Sequence, residues 1–473
     1  MLGKSKETFK KETFQLPEHI NSTPEEIAED LADFFSNISN TFEPLKRENL
    51  PEYVKNILAG SDNFPIPWFS EHQVYEILKE AKKPRSSVDG DLPREIVIEY
   101  LAELAKPVSL IWNRLLETQS YPTEWKRETT VVIPKLIPPT SKDDLRNIGL
   151  TPFLSKCFEG QVVDWIWKSI KCKWDPGQFG SRKGSSTNHY IIYLIDFIMT
   201  NWESRKKKAV LVLLLDWSKG FNRIDHTRLI TILADIGVPC FLLKLIISYL
   251  QDRKMNVRHE GLLSAERDLS GGSPQGGLLS LILFCLYTNF SGIIQANETE
   301  EINPYKSEMS PMIQDETIRL KYVDDLTIAE GISLIEQVKK SEEISYPHCK
   351  TFRERTGHEI IYEKCLITKH LQCLEDYAKT NKMKINTDKT KIAIFNQRRT
   401  IDFAPNNFKI GDQILNFTES FKILGLLMSS NLKWDDHISL IVRKAFKKIW
   451  MIIRMKINKV STEDLLLMYK MRR

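Results

Sequence analysis

Three aspartates that border apolar, strand-like segments are the residues best suited to bind a divalent cation. Asp216 directly follows the run Val210–Leu215, whose continuous apolar character is typical of a buried central strand. Asp324 and Asp325 interrupt the alternating apolar residues of Ile318–Ala329, which predicts a β-hairpin with both acids at its turn. Carboxylates crowded on a buried hairpin repel each other, and a divalent cation relieves that repulsion. With Asp216 on a neighbouring strand, the set suits two Mg²⁺ ions about 3.5–4 Å apart.

Each of these acids also has a purely structural explanation. Asp216 could cap a helix that begins at Trp217, and adjacent acids are common in exposed turns. The apolar flanks of the acidic pair argue against an exposed turn. Asp225 is a further acid nearby, but no strand precedes it, and we expect it to cap a helix that begins at Thr227.

A glycine-rich segment, Leu269–Leu279, lies between the two acidic segments. Its four glycines allow the backbone to approach a ligand closely, and Gln275 adds a side-chain amide beside them. Taken alone, the pattern indicates only a turn that enters a helix over Leu278–Phe290. Its position between the acids makes it a candidate wall for a template strand and an incoming nucleotide.

Apolar periodicity predicts the elements that position these residues. Residues 129–134 are predicted to form a strand, and residues 297–317 and 340–370 are predicted to form polar loops. Helices are expected over Glu25–Ile38, after a capping Ser70, over about Arg94–Thr118, Phe153–Lys171 and Asn188–Asn201, and from about Asp435.

Composition limits the class of protein. A chain of 473 residues with 42% hydrophobic content is expected to fold into two or three packed lobes. Its seven cysteines include no CxxC pair, so we expect a reducing, intracellular compartment rather than a disulfide framework. No apolar run approaches the length of a membrane span, and no membrane partner is expected.

The positive charge is concentrated at one end of the chain. The net charge is +5, but residues 431–473 contain eleven Lys or Arg and four Asp or Glu, a local charge of +7. A basic segment of this kind favours contact with nucleic-acid phosphates.

Three short motifs and their flanks resemble a known family. Asp216-x4-Phe221, Ser273-Pro274-Gln275-Gly276 and Tyr322-Val323-Asp324-Asp325 resemble motifs A, B and C of reverse transcriptases. Seven blocks resemble the polymerase of jockey-like non-LTR retrotransposons, and in their order they span about residues 70–460: KPRSSVDGDLP (83–93), WKRETTVVIPK (125–135), LRNIGLTPFLSKCFEG (145–160), QFGSRKGSSTNHY (178–190), LDWSKGFNRIDH (215–226), MKINTDKTKIAIF (383–395) and FKILGLLM (421–428).

The resemblance implies an α+β right-hand polymerase with fingers, a palm built on an antiparallel sheet, and a helical thumb. It implies an RNA-directed DNA polymerase that adds dNTPs to a primer 3′ hydroxyl on an RNA template, with two Mg²⁺ ions or Mn²⁺ in their place. The expected division is an N-terminal extension and linker over residues 1–70, fingers and palm over 71–430 with a core at about 115–428, and a truncated basic thumb over 431–473. The family resemblance also implies a nuclear location, although the sequence contains no identified targeting signal.

The same resemblance assigns roles to individual residues. Asp216, Asp324 and Asp325 would bind the metal ions, and Lys389 would protonate pyrophosphate, although a solvated lysine on a polar turn fits its pattern nearly as well. The residues that would contact the incoming dNTP are Lys135 and Arg146 at its triphosphate, Phe221 as a steric gate below its sugar, and Gln275 and Gly276 beside the base pair.

The sequence departs from the family pattern at three positions. Asn147 stands where the family usually has proline, and Gly220 and Asn222 stand where it usually has alanine and aspartate. Glycine at 220 is expected to loosen the start of a helix by roughly 0.5–1 kcal/mol. These departures keep open an alternative function, a non-catalytic nucleic-acid-binding remnant of such an element.

The basic end is expected to be the thumb. On a helix from about Asp435, the spacing places an apolar stripe on one side and a basic face on another, the latter formed by Arg443, Lys447, Trp450 and Arg454. A solvated surface would show the same pattern. After a polymerase palm, we favour contact with the phosphates of an RNA–DNA template–primer duplex.

A group of cysteines and histidines lies within 26 positions, at His348, Cys349, His358, Cys365, His370 and Cys373. No pair has the spacing of a zinc finger or a CxxC motif. We interpret the group as part of an insertion rather than as a zinc site.

Overall fold

The computed structural model describes residues 16–60, 65–82, 88, 90–135, 138–170, 173–204, 209–289, 313–314, 317–332, 335–336, 340–346, 349–355, 358–359, 366–396 and 408–471. The helices in these ranges are α1 (Pro24–Ser39), α2 (Glu52–Ala59), α3 (Glu71–Glu80), α4 (Arg94–Glu99), α5 (Leu101–Thr118), α6 (Phe153–Ile170), α7 (Thr187–Glu203), α8 (His226–Ile236), α9 (Cys240–Leu250), α10 (Leu278–Tyr287), α11 (Leu366–Thr380), α12 (Asp435–Ile457) and α13 (Thr462–Met471). Within these ranges, no helix combines the length and apolarity that crossing a membrane requires.

The strands are β1 (Arg127–Pro134), β2 (Leu145–Leu150), β3 (Ala209–Leu215), β4 (Arg253–His259), β5 (Leu262–Leu263), β6 (Arg267–Leu269), β7 (Ile313–Gln314), β8 (Thr317–Tyr322), β9 (Asp325–Ile332), β10 (Ile335–Glu336), β11 (Lys340–Tyr346), β12 (Cys349–Arg355), β13 (His358–Glu359), β14 (Lys391–Asn396), β15 (Lys409–Ile410), β16 (Gln413–Ile414), β17 (Asn416–Phe417), β18 (Ser420–Ile423) and β19 (Leu426–Ser429).

Local side-chain caps explain where several helices begin. Ser70 forms a capping box with Gln73 at the start of α3, as predicted. The Asp225 carboxylate accepts a hydrogen bond from the Arg228 backbone N–H and caps α8, which confirms the role expected for this acid. Backbone N–H groups at these helix ends are thereby satisfied without help from the rest of the fold.

A six-stranded sheet, here called the central sheet, has the order β17-β14-β3-β9-β8-β7. The strand predicted over Val210–Leu215 is β3, which pairs antiparallel with both β14 and β9. The predicted hairpin is β8–β9, closed by Val323 and Asp324. Alternate residues of β3 pack into different cores, Leu211 and Leu213 into the larger one and Val210 and Val212 into the other. The central sheet is therefore covered on both faces.

A five-stranded sheet, here called the second sheet, has the order β2-β1-β4-β5, with β6 also paired to β4. Strand β1 confirms the strand predicted over residues 129–134. Helix α1 packs against β4 and contributes Leu31 and Phe35 to a small core with Met255 and Val257. The N-terminal segment therefore packs directly on the second sheet.

The loop prediction for residues 340–370 is wrong for most of that range. Strands β11 and β12 pair antiparallel from Lys340↔Arg355 to Tyr346↔Cys349, and α11 begins at Leu366. Strand pairing satisfies backbone hydrogen bonds whatever the side chains are, so a polar hairpin shows no apolar alternation to detect. The range 297–317 lies almost entirely outside the described residues.

Helix α12 begins at Asp435, as predicted, and follows the β18–β19 hairpin. It buries none of its residues. The predicted apolar stripe is exposed, with Ile438 at 55% and Ile449 at 50% of full exposure. Within the described residues, α12 thus presents both its apolar and its basic face to solvent.

Candidate active site

A cleft of about 750 Å³ lies where the central sheet faces the second sheet. Side chains from both sheets and from the turns that follow them line it. Seven of the predicted site residues lie in its wall: Lys135, Arg146, Asp216, Phe221, Gln275, Asp324 and Lys389. The fold therefore brings together residues that are up to 254 positions apart in the chain.

Strand register explains why the aspartates meet. Leu215 of β3 pairs with Leu326 of β9, and the two strands run antiparallel. The residue after Leu215, Asp216, therefore lies beside the residue before Leu326, Asp325. Asp325 itself pairs with Tyr322 across the hairpin. Asp216 caps no helix, because a turn follows it and the short 3₁₀ helix beyond, Gly220–Arg223, starts after Lys219.

The three carboxylates perturb each other electrostatically. Burial raises the pKa of Asp325 to about 7, with the nearby charges of Asp324 and Asp216 adding to the effect. Burial also raises the pKa of Asp324 and of Asp216. Asp324 and Asp325 are exposed by surface area, yet neighbouring atoms still displace much of their surrounding water. Asp324 lines the cleft, whereas Asp325 and Gly276 are not among its lining residues. Such a group of acids gains from a nearby positive charge.

The donor set fits a hard divalent cation. Three carboxylates offer oxygen ligands alone, the type that Mg²⁺ prefers. Their oxygens do not all lie within 4.8 Å of one another, so holding an ion requires side-chain rotation toward the centre. Among the described residues, Glu18, His19 and Asp30 do meet that distance, but Lys142 already forms ion pairs with Glu18 and Asp30.

Three cations line the cleft together with the acids: Lys135 and Arg146 from the second sheet and Lys389 from the turn before β14. The Lys135 backbone N–H donates to the Asp144 carbonyl at 2.7 Å, and its Nζ donates to the Asp143 carbonyl at 3.0 Å. Burial lowers the pKa of Lys135, and the positive charges of Lys389 and Arg146 lower it further. Mutual repulsion among these cations makes the part of the cleft that they share a site for an anion.

Lys389 lies on the turn between α11 and β14. This turn reaches the cleft because Ser218 donates to the Lys384 carbonyl and Asn386 donates to the Asp216 carbonyl, each from the backbone at 2.8 Å. Lys389 is close enough to Asp216 to counter the rise in the pKa of that carboxyl group.

Phe221 stacks on Phe284 of α10, with ring centroids 4.5 Å apart and an angle of 19° between the rings. Gly220 is required by the same ring: a Cβ at 220 would lie 2.8 Å from Phe284 Cε2. Close packing against Phe284 thus gives a second reason for glycine at this position, and the expected loosening of the helix start stays a prediction.

Backbone hydrogen bonds hold the glycine-rich segment between the two sheets. Gly272 donates to the Ile224 carbonyl at 2.8 Å, Ser273 to the Phe221 carbonyl at 2.9 Å, and Gly149 of β2 to the Gln275 carbonyl at 3.0 Å. Gln275 lines the cleft. Gly276 has a φ of +133°, and a Cβ there would lie 3.1 Å from the Gly149 carbonyl. The predicted wall is thus anchored on both sides.

The predicted basic face lies on α12. Arg443, Lys447, Trp450 and Arg454 are all exposed, and the Arg454 guanidinium lies 4.1 Å from the centre of the Trp450 ring. None of the four lines the cleft. The arrangement is a solvent-facing, positively charged ridge.

Several cleft residues are not predictable from the local pattern. Phe34 and Ile38 of α1 line the cleft, although they lie in the segment expected to be an extension. Lys219 places its Nζ 3.8 Å from the centre of the Phe34 ring and 2.9 Å from Asp143 Oδ1. The apolar spacing of α1 predicted a helix, but nothing in the sequence indicated that this helix packs on β4 and reaches the cleft.

The cysteine and histidine group is only partly described. His348 and Cys365 lie outside the described residues, as do the side chains of Cys349 and His358. His370 is buried, and its Nε2 lies 3.3 Å from the Thr317 hydroxyl oxygen. The interpretation of this group as an insertion stays a prediction.

Comparison with known proteins gives consistent matches. Residues 133–428 match the family model described as reverse transcriptase (RNA-dependent DNA polymerase). Three curated relatives come from Drosophila melanogaster. The probable RNA-directed DNA polymerase from transposon X-element is 28% identical over 54% of this chain and 29% of the relative, and that from transposon BS is 22% identical over 76% of this chain and 35% of the relative. The RNA-directed DNA polymerase from mobile element jockey is 21% identical over 88% of this chain and 41% of the relative. The chain thus spans between 29% and 41% of the length of these relatives.

Proposed function

Since the chain belongs to the reverse transcriptase (RNA-dependent DNA polymerase) family, we propose that it extends a DNA primer on an RNA template as the polymerase part of a non-LTR retrotransposon protein. Its mixed α/β architecture with antiparallel-rich sheets is that of a right-hand polymerase. In this proposal the central sheet is the palm, the second sheet belongs to the fingers, and residues 431–473 form the thumb.

One observation carries the proposal: a single cleft is lined by both acids and cations. Asp216, Asp324 and Asp325 gather where β3 and the β8–β9 hairpin end. Lys135 and Arg146 come from the facing sheet. A reaction between a nucleoside triphosphate and a primer hydroxyl needs both kinds of charge.

The three aspartates would hold two Mg²⁺ ions, for which Mn²⁺ is a chemical substitute. When bound there, such ions would supply the Lewis acidity that activates a primer 3′ hydroxyl and the positive charge that offsets the leaving pyrophosphate. The raised pKa values of the three carboxyl groups support the proposal: burial raises all three, nearby carboxylates add to the rise at Asp216 and Asp325, and a cation would offset both effects.

The remaining cleft residues would position the nucleotide. Lys135 and Arg146 would bind its triphosphate, and Lys389, beside Asp216, would donate a proton to pyrophosphate. Phe221 would lie below the sugar, where a ring held by stacking on Phe284 leaves no room for a 2′ hydroxyl. Gln275 and Gly276 would flank the new base pair.

The nucleic acid would run from the cleft to α12. Arg443, Lys447 and Arg454 would contact phosphates of the duplex, and the exposed Trp450 would offer an apolar face to its sugars. The expected partners are therefore an RNA template paired with a DNA primer, and dNTPs.

Primer extension tests the proposal. The wild type and an Asp324→Asn/Asp325→Asn variant are compared on an RNA template with a DNA primer, dNTPs and Mg²⁺. We expect extension by the wild type and a loss of at least a thousandfold in the variant, with duplex affinity unchanged. Duplex binding without extension by the wild type would instead support a non-catalytic remnant, for which Asn147 and Asn222 provide the motivating observation.

A further inference from the structure

The segment Asp175–Gly180 runs alongside the acidic hairpin and belongs to none of the functions assigned so far. The Lys321 backbone N–H donates to the Gly177 carbonyl at 2.7 Å, and the Phe179 N–H donates to the Lys321 carbonyl at 2.9 Å. Gln178 and Lys321 thereby form a parallel bridge. This segment acts as a short additional strand beside the end of β8 that leads into the acidic turn.

The turn of that hairpin is conformationally unfavourable. Tyr322 pairs with Asp325, so Val323 and Asp324 form a two-residue loop. Val323 has a φ of +61°, whereas Asp324 is not among the residues with positive φ. Positive φ at the first loop position is ordinarily taken by glycine, and a β-branched residue resists it strongly. The loop therefore needs an external contact to stay in this shape.

The Gln178 side chain provides that contact. Its Oε1 accepts hydrogen bonds from the backbone N–H groups of Val323 and Gly180, each at 3.0 Å. Its Nε2 donates to the Val323 carbonyl at 3.5 Å. The side chain is fully buried, and the Trp174 indole N–H fixes the Gln178 backbone carbonyl at 3.0 Å. Gln178 thus holds both backbone polar groups of the one strained residue in the loop.

The surrounding residues keep this contact rigid. A Cβ at Gly180 would lie 2.5 Å from the Val323 nitrogen, so only glycine allows the segment to approach the loop this closely. At the other end, buried Asp175 forms ion pairs with Arg319 at 3.0 Å and with Lys321 at 2.9 Å, both on β8. The segment and the hairpin therefore move as one body.

We propose that Gln178 is a positioning residue that holds the Val323–Asp324 loop in its strained shape and so sets where Asp324 and Asp325 present their carboxylates. This role rests on the proposed function of those aspartates. Gln178 lines no part of the cleft and contacts no reacting group, so its effect passes through the Val323 backbone.

The test is a pair of variants in primer extension. Gln178→Leu removes both hydrogen-bonding atoms at nearly constant volume, and we expect kcat to fall about 10- to 100-fold, the range typical of residues that orient metal ligands. The KM for dNTP and the duplex affinity should change less than twofold, and the Mg²⁺ concentration for half-maximal rate should rise several-fold. Adding Val323→Gly to Gln178→Leu should restore most of kcat, because glycine adopts positive φ without help.

Asn113→Leu is a matched control. Asn113 is a buried amide on α5. Its side chain accepts from the Phe69 backbone N–H at 2.8 Å and donates to the Phe69 carbonyl at 2.9 Å, in the core and outside the lining of the cleft. Its loss should lower the midpoint of thermal unfolding without shifting the Mg²⁺ dependence, and Val323→Gly should not compensate for it. If Val323→Gly fails to rescue Gln178→Leu, or rescues both variants equally, Gln178 has a general packing role and the proposal is overturned.

Hydrogen exchange separates this proposal from the proposed function. In Gln178→Leu the Val323 amide loses its acceptor, so a peptide covering residues 318–327 should exchange at least tenfold faster, whether or not the protein polymerises. If the wild type shows no polymerase activity, the proposed function fails while this exchange result still reports on the loop. Unchanged exchange in an active protein would overturn the role of Gln178 alone.

Discussion

Restoring the alanine that the family usually carries at position 220 should destabilise this chain. A Cβ at 220 would lie 2.8 Å from Cε2 and 2.9 Å from Cζ of Phe284, well inside van der Waals contact. The ring is fully buried and stacked on Phe221, so it has no free space into which to rotate. Overpacking of this kind costs about 1–3 kcal/mol, and the helical preference of alanine over glycine returns about 0.5–1 kcal/mol. The net expectation for Gly220→Ala is a loss of about 1 kcal/mol and at most about 2.5 kcal/mol.

Urea unfolding of matched variants measures this effect. Gly160→Ala on α6 is the control, since the nearest atom to its Cβ would be 3.8 Å away, and it should stabilise slightly. Phe284→Leu should make room for the new methyl group, so the double variant should lose less stability than the sum of the two single variants. Displacement of Phe221 should also raise rNTP incorporation by Gly220→Ala. A Gly220→Ala protein as stable as Gly160→Ala would refute the packing argument.

Two further predictions concern the basic face of α12 and the glycine-rich segment. Arg443→Glu/Lys447→Glu should weaken binding of an RNA–DNA duplex and make the salt dependence of that binding shallower by about two phosphate contacts. The control Lys106→Glu/Lys168→Glu changes two other exposed lysines and should have neither effect. Fluorescence anisotropy measures the binding, and equal salt slopes for the two variants would contradict the prediction. Burial, helped by the charge of Arg253, lowers the pKa of His226 to about 4. As pH falls below about 6.5, this histidine therefore binds a proton in the unfolded chain before it does in the folded chain. The free energy of unfolding should consequently drop by about 2 kcal/mol between pH 7 and pH 5. His226→Gln keeps a donor for the Gly272 carbonyl, and its free energy of unfolding should fall by about 2 kcal/mol less than that of the wild type between pH 7 and pH 5. If the two proteins show the same pH dependence of unfolding, His226 is not the cause of the drop.

Local patterns predicted the elements that deliver the acids. Strand β3 and the β8–β9 hairpin are short and strongly apolar, and helix starts such as Ser70 depend on residues three positions apart. Such signals lie within one element and do not need the partner to be known. Asp216 alone was compatible with a helix cap, and only the pairing of Leu215 with Leu326 places it beside the hairpin acids.

Contacts between distant segments were beyond sequence reasoning. Phe34 reaches the cleft because α1 packs on β4, and Gln178 reaches Val323 because its segment docks on β8. Neither contact produces a period in the sequence, since each partner lies more than a hundred positions away. The strain at Val323 was equally hidden, because a hairpin turn with glycine at that position would give the same strand pattern.

The three departures from the family pattern bear on whether this copy retains activity. Substitutions that accumulate without selection arise independently of their neighbours, so they should leave cavities, clashes or buried unpaired charges. Gly220 instead matches the space left by Phe284. Asn222 is buried, where a neutral amide avoids the cost of desolvating a carboxylate, and Asn147 pairs with Val132 inside β2 and keeps an N–H that proline lacks. Each departure thus fits its surroundings, which favours the proposed polymerase over an eroded remnant. If Gly220 and Phe284 are a compensated pair, the double variant Gly220→Ala/Phe284→Leu should extend primers faster than Gly220→Ala alone, and equal rates would remove this support.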